Sequence, residues 1–110
     1  MLIYKIFRPA EWTALDRDGQ SDGAPVDVAD GYIHFSTAET VRETCAKYFA
    51  GAGDLVLCAL EADRLEPLLW EPARGGVLFP HLYRPLRRSD ILWHRPLPQD
   101  GDTHQFPSLT

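Results

Sequence analysis

Long apolar runs, basic charge and cysteine are all scarce in this chain of 110 residues. No stretch reaches the roughly 20 apolar residues that a membrane-spanning helix requires. The opening residues, MLIYKIFRPAEW, lack the extended apolar core and small-residue cleavage site of a secretory signal. Lysine and arginine number 11 against 16 aspartates and glutamates, a formal net charge of −5. That balance works against a general affinity for nucleic-acid backbones or anionic membranes, which both need a basic surface. Basic residues concentrate only at Arg84, Arg87, Arg88 and Arg95. The two cysteines, Cys45 and Cys58, form no CxxC pair. Each reads as a small buried apolar group rather than half of a disulfide or a zinc ligand. The expectation is a reduced, cytoplasmic protein. GxGxxG, P-loop and GxSxG patterns are missing too, which leaves dinucleotide fingerprints, phosphate cradles and serine-hydrolase elbows without support.

What is present reads as one α+β domain over residues 1–97, followed by an irregular tail over 98–110. LIYKIF is strand-like by its β-branched and aromatic content. Pro9 opens a helix, PAEWTALDRD, in which Trp12 and Leu15 face the core together. GQSDGAP follows as an exposed loop. Residues 32–36 form a second strand, with Ile33 and Phe35 on one face and Tyr32, His34 and Ser36 on the other. Ser36 and Glu39 have the spacing of a capping box. The helix after them carries Val41, Cys45, Tyr48 and Phe49 as an apolar stripe. DLVLCALEAD is apolar on both faces and reads as a central strand. A helical turn broken by Pro67 leads into a short strand around Leu69 to Glu71. Pro80 and Pro85 confine any strand in ARGGVLFPHLYRPL to an edge or a bulge. SDILWHRPL closes the domain as a strand with Ile91 and Trp93 on one face. Crossover helices would give some parallel pairing and the later strands antiparallel pairing, so the sheet is expected to be mixed or antiparallel.

Two segments concentrate chemistry, YIHFST and WEPARGGVLFPHLYRP. His34 is a candidate general acid or base, or a donor to a ribose or phosphate oxygen; the plain alternative is a hydrogen-bonded structural histidine. His81 sits in the proline-framed segment, with a loop histidine bonded to a carbonyl as its alternative. Glu71 stands beside Trp70. Partly desolvated by the indole it would stay protonated for acid work; ionised, it would stabilise developing positive charge. Its plain alternative is an exposed glutamate paired with Arg74. His34, His81, His94 and Glu71 show no local ligand spacing such as HxxxH, and no metal is expected.

Taken in order, IYKI, DGYIHFST, DLVLCALEADRLEPLLWE and GGVLFPHLYRPL resemble the small bacterial proteins catalogued as domain of unknown function 952. The likeness runs from Leu2 to about Leu97. A more distant one is also present. YIHFST, a helix and DLVLCALEADRL are similar to the corresponding segments of tRNA 2′-phosphotransferases, over about a third of the chain. That resemblance implies the ADP-ribosyltransferase-like fold, a curved split sheet with two main helices gripping NAD. It matches His34 and Ser36 to that family's strand histidine and serine. The arginines and the amino-terminal Arg-His motif of the phosphotransferases have no counterpart here. Tyr4, His34, Tyr83 and Glu71 supply the residue types of a His-Tyr-Glu set.

These readings converge on a nucleotide-sized cleft that takes NAD. His34, Glu71 and His81 are its candidate catalytic residues. Tyr32, Ser36, Thr37, Trp70, Phe79 and Tyr83 are its candidate ligand contacts. The rival is a module without catalysis that binds a small molecule, or a protein on an exposed patch of Trp70, Phe79 and Tyr83.

Overall fold

The computed structural model describes residues 1–109, with Arg74 described by its backbone alone. Strand β1 (Leu2–Phe7) leads into helix α1 (Pro9–Asp18), the short strand β2 (Gln20–Ser21) and helix α2 (Pro25–Asp30). Next come β3 (Ile33–His34), α3 (Val41–Tyr48), β4 (Leu55–Glu61), β5 (Leu68–Pro72) and β6 (Leu78–Leu82). Strands β7 (Leu86–Arg87), β8 (Ile91–Leu97), β9 (Gln99–Asp100) and β10 (Thr103–His104) complete the chain. No helix among the described residues is long and apolar enough to cross a membrane.

The α+β class holds, but every strand pairing among the described residues is antiparallel, so the parallel component expected from crossover helices is absent. One three-stranded sheet has the order β1-β4-β8 and the other β3-β6-β5. β4 is central and buried on both faces, as its sequence implies. Ile3, Phe7, Cys58, Leu60 and Ile91 pack on one face with Leu15 of α1 and with Ile33, Phe35 and Leu82 of the second sheet. Tyr4, Ile6, Leu55, Leu57 and Ala59 pack on the other with Val41 and Cys45 of α3. Burial pushes the Cys58 thiol up to about 12, since a thiolate has no place in that core.

Besides this packing, one isolated backbone bridge links β1 to the chain just beyond β3 among the described residues. Tyr4 and Ser36 exchange both backbone hydrogen bonds, at 2.8 and 2.9 Å. Since alternate residues of a strand face the same neighbour, the backbone of His34 also faces β1. The strands have parted there, so its N–H and C=O need other partners. The Asp27 carboxylate accepts from the N–H at 3.0 Å, and Lys5 Nζ donates to the carbonyl at 2.9 Å.

Four local expectations are corrected. GQSDGAP is not merely a loop: Gln20–Ser21 pairs with β7, and Pro25 starts a third helix. Asp27 at that helix's third position accepts from the Ala24 N–H at 2.7 Å. Ser36 caps nothing. Its hydroxyl donates to Thr44 Oγ1 at 3.3 Å, while Thr40 accepts from the Thr37 N–H and precedes the helix. Third, β6 is the central strand of its sheet despite Pro80. The Pro80 carbonyl accepts from Phe35 N–H, so its donor-less nitrogen faces the side where β3 has just ended, and little of the ladder is lost. Last, a bulge in β8 pairs Ala59 with Trp93 but Leu60 with Ile91. Ile91 and Trp93 therefore pack on opposite faces of the sheet.

The chain after Leu97 forms the β9–β10 hairpin. Gln99 accepts from the Gly53 N–H at 2.6 Å, and His104 Nε2 donates to the Gly53 carbonyl at 2.8 Å. Phe106 and Leu109 then cover the second apolar cluster, and the Tyr4 hydroxyl donates to the Leu109 carbonyl.

Candidate functional site

In the β3-β6-β5 sheet, His34 lies opposite His81 and His81 opposite Leu69, while Phe79 lies opposite Glu71. Paired residues in an antiparallel ladder share a face, as do residues two apart. Tyr32, His34, Glu71, Phe79, His81 and Tyr83 therefore rise from one side of the sheet. Tyr32 holds the centre. Its ring stacks on His81 with centroids 4.2 Å apart, and tilts against His34 at 4.7 Å and Tyr83 at 5.2 Å.

Each imidazole is oriented by a carboxylate on Nδ1. Glu71 Oε1 is 2.8 Å from His81 Nδ1 and accepts from the Tyr83 hydroxyl at 2.6 Å. The Tyr83 hydroxyl, with His81 second, holds the Glu71 carboxyl below its usual range, and in return Glu71 pushes Tyr83 up to about 12. On the other side Asp27 Oδ1 is 2.7 Å from His34 Nδ1. Asp27 is wholly buried, and its Oδ2 pairs with the buried Lys5 Nζ at 2.8 Å. Burial pushes the Asp27 carboxyl up, but the His34 hydrogen bond and the Lys5 charge outweigh it, and the net shift is down. The second ring nitrogen of His34, Nε2, is 2.9 Å from Asp30, a half-exposed carboxylate at the end of α2.

The remaining candidates lie elsewhere. Ser36 and Thr37 are buried on the α3 side, engaged with Thr44 and Thr40. Trp70 and Glu71 are strand neighbours and point to opposite faces. The Trp70 indole lines a separate open groove of about 670 Å³ with Met1, Leu65 and Pro67. The indole therefore does not desolvate Glu71, and of the two states considered for it, protonated acid and ionised carboxylate, its hydrogen-bond donors favour the ionised one. The alternative partner of Glu71, the Arg74 side chain, lies outside the described residues. Phe79 shares the face but is buried to 9% exposure. A smaller recess of about 270 Å³ adjoins the rings, bounded by Asp22, Asp27, Gly31, Tyr32, Tyr83 and Arg84. No group of three or more His, Cys, Asp or Glu among the described residues is placed to hold a metal ion.

Lys5, Asp27 and Asp30 were not among the residues singled out from the sequence. Lysine in the middle of LIYKIF is the signal that a buried acid must meet it. Pro25 followed two residues later by Asp27 is the signature of a helix start.

Fold and site together define an antiparallel α+β domain with a histidine–carboxylate face beside a split in its sheet. The chain belongs to the family described as "Protein of unknown function (DUF952)", whose sequence profile matches residues 6–94. It is similar to protein CC0527 from Caulobacter crescentus, with 50% identity over 96% of this chain and 94% of that one. The TM-score to its crystal structure is 0.91. The solution structure of CC0527 gives a TM-score of 0.83 and 50% identity over 94% of this chain and 90% of that one. No curated protein matches the chain. Neither the profile nor these structures supports the resemblance to the ADP-ribosyltransferase-like fold.

Proposed function

We propose that the Tyr32–His34–Glu71–His81–Tyr83 face binds a nucleotide-type ligand of the NAD class, and that an ADP-ribosyltransferase-like cleavage is the reaction it suits. The observation that carries this reading is Glu71, held ionised by Tyr83 and His81 at the edge of a three-ring aromatic cluster. An anion beside aromatic faces suits a cationic nicotinamide ring. When that ring leaves with the bonding electron pair, positive charge develops at the ribose carbon, and a preorganised carboxylate stabilises it. His34 contacts the sugar–phosphate portion, with its ring fixed from behind by Asp27.

The test is thermal unfolding with NAD, ADP-ribose, AMP and inorganic phosphate, in the wild type and in His34→Ala and Glu71→Gln. Ligand at a hundred times its dissociation constant adds about 2.7 kcal/mol of stability. A shift with NAD or ADP-ribose that His34→Ala loses supports the reading, and release of nicotinamide that Glu71→Gln abolishes supports the reaction. No shift with any of the four removes it.

A second reading, a protein-binding module, is favoured by the β5–β6 hairpin. Leu69, Trp70, Val77 and Leu78 are each at least 39% exposed there. Loss of a partner on Trp70→Ala with nucleotide binding intact would separate the two.

A further inference from the structure

We infer that the Asp30 carboxylate occupies the position of a ligand phosphate on His34; this rests on the nucleotide reading above and assigns one contact within it. His34 is flanked on both ring nitrogens by carboxylates, Asp27 Oδ1 at 2.7 Å and Asp30 Oδ2 at 2.9 Å. An ionised carboxylate only accepts, so Nδ1 donates to Asp27, while Asp30 faces Nε2 at ion-pair distance, where an acceptor suits a ring that carries hydrogen on that nitrogen too. The two are not equivalent. Asp27 is wholly buried, meets hydrogen-bond geometry and also accepts from the His34 backbone N–H. Asp30 is 45% exposed and stands within ion-pair range. It ends a six-residue helix that Gly31 closes in a left-handed conformation, with φ of +84°.

The charges complete the argument. Lys5 and Asp27 cancel as a buried pair. When the His34 ring carries hydrogen on both nitrogens, this cluster holds one positive charge, which Asp30 balances. A neutral group in the same place would leave that charge unmatched, whereas a phosphate oxygen replaces the carboxylate with its charge and acceptor character preserved. Asp27 and Lys5 thus build the rigid back of an oxyanion subsite, and Asp30 is its exchangeable front. An acidic protein gains in this way one position that favours a phosphate, with selectivity against the neutral nucleoside.

The experiment is calorimetric titration of AMP, ADP-ribose and adenosine into the wild type, Asp30→Ala and the double variant Asp30→Ala/His34→Ala. Removing the internal competitor is expected to tighten AMP and ADP-ribose by about tenfold. Adenosine should be unchanged, and the double variant should lose the gain. Wild-type binding of AMP that Asp30→Ala leaves equal or weaker overturns the exchange and leaves the nucleotide reading standing. An equal gain for adenosine shows that Asp30 only blocks access, and also overturns it. Absence of binding by every probe to both the wild type and Asp30→Ala removes the nucleotide reading and this inference with it.

Discussion

Lys5 and Asp27 form a buried ion pair, Nζ to Oδ2 at 2.8 Å, at the point where the two sheets separate. Between them they also satisfy both backbone groups of His34. The pair therefore does the work of a missing strand segment and sets the ring that the site presents.

Removing either partner should have unequal effects. Asp27→Ala leaves the Lys5 ammonium buried with only the His34 carbonyl, and orphans the Ala24 and His34 N–H groups. Breaking a buried pair in this way costs about 3–5 kcal/mol. Lys5→Met should cost less, because Asp27 keeps the Ala24 N–H, the His34 N–H and the His34 ring. Urea unfolding of the two variants checks the order, and a larger loss for Lys5→Met would contradict it.

Acid should weaken the same region. The folded-state pKa of Asp27 lies below its ordinary value, so the unfolded chain binds a proton more readily than the native one. Its contribution is fully present above the unfolded value of about 3.9 and is lost as pH falls through the lower folded value. Denaturation free energies measured from pH 7 downward should therefore fall below about pH 4. In Asp27→Asn the fall should be shallower. An unchanged slope in that variant would mean that other carboxylates carry the acid sensitivity.

Gly23 and Gly31 bracket α2, and both have φ near the left-handed region, +92° and +84°. They differ in what surrounds them. A Cβ at Gly31 meets nothing within 4 Å, whereas at Gly23 it would collide with the Asp27 carboxylate. Gly31→Ala should cost about 1 kcal/mol from backbone conformation alone. Gly23→Ala should cost more, and should also disturb the His34 ring resonances by NMR, because Asp27 must move. Equal melting temperatures for the two variants would show that the carboxylate yields without effect.

How far the site was legible in the sequence follows from the range of each interaction. The alternation in YIHFST placed Ile33 and Phe35 in the core and Tyr32 and His34 opposite them, because a strand's period is local. Ser36, expected on their face, turns to Thr44 of α3 instead, since β3 has already ended. The two-faced apolarity of LVLCAL likewise identified the central strand. Helix α2 has only six residues, too few to show a period, so it was hidden behind loop-like composition. β6 was hidden by Pro80, since a proline's cost depends on which neighbour its nitrogen faces, and that is settled by where β3 ends. Lys5 announced a buried acid but not which one, a choice made only by tertiary packing. The joining of Glu71 to Tyr83 depends on the register of the β5–β6 hairpin, which no local pattern encodes.

That last pair offers a direct optical test. The Tyr83 hydroxyl donates to Glu71 at 2.6 Å, and ionising it would set two negative charges against each other. Its pKa is accordingly pushed up to about 12, first by that hydrogen bond and then by desolvation and the glutamate charge. Glutamine at position 71 keeps an acceptor but removes the charge, so Tyr83 should return toward the ordinary tyrosine value of about 10. Ultraviolet titration of wild type and Glu71→Gln should show one phenol moving to lower pH, and Tyr83→Phe should delete that phenol from both curves. The reciprocal effect falls on Glu71, whose carboxyl should titrate at higher pH in Tyr83→Phe, because its main hydrogen-bond donor is gone. A Glu71 that titrates unchanged in Tyr83→Phe would place the control of its charge on His81 alone, and would remove Tyr83 from the group that keeps this face anionic.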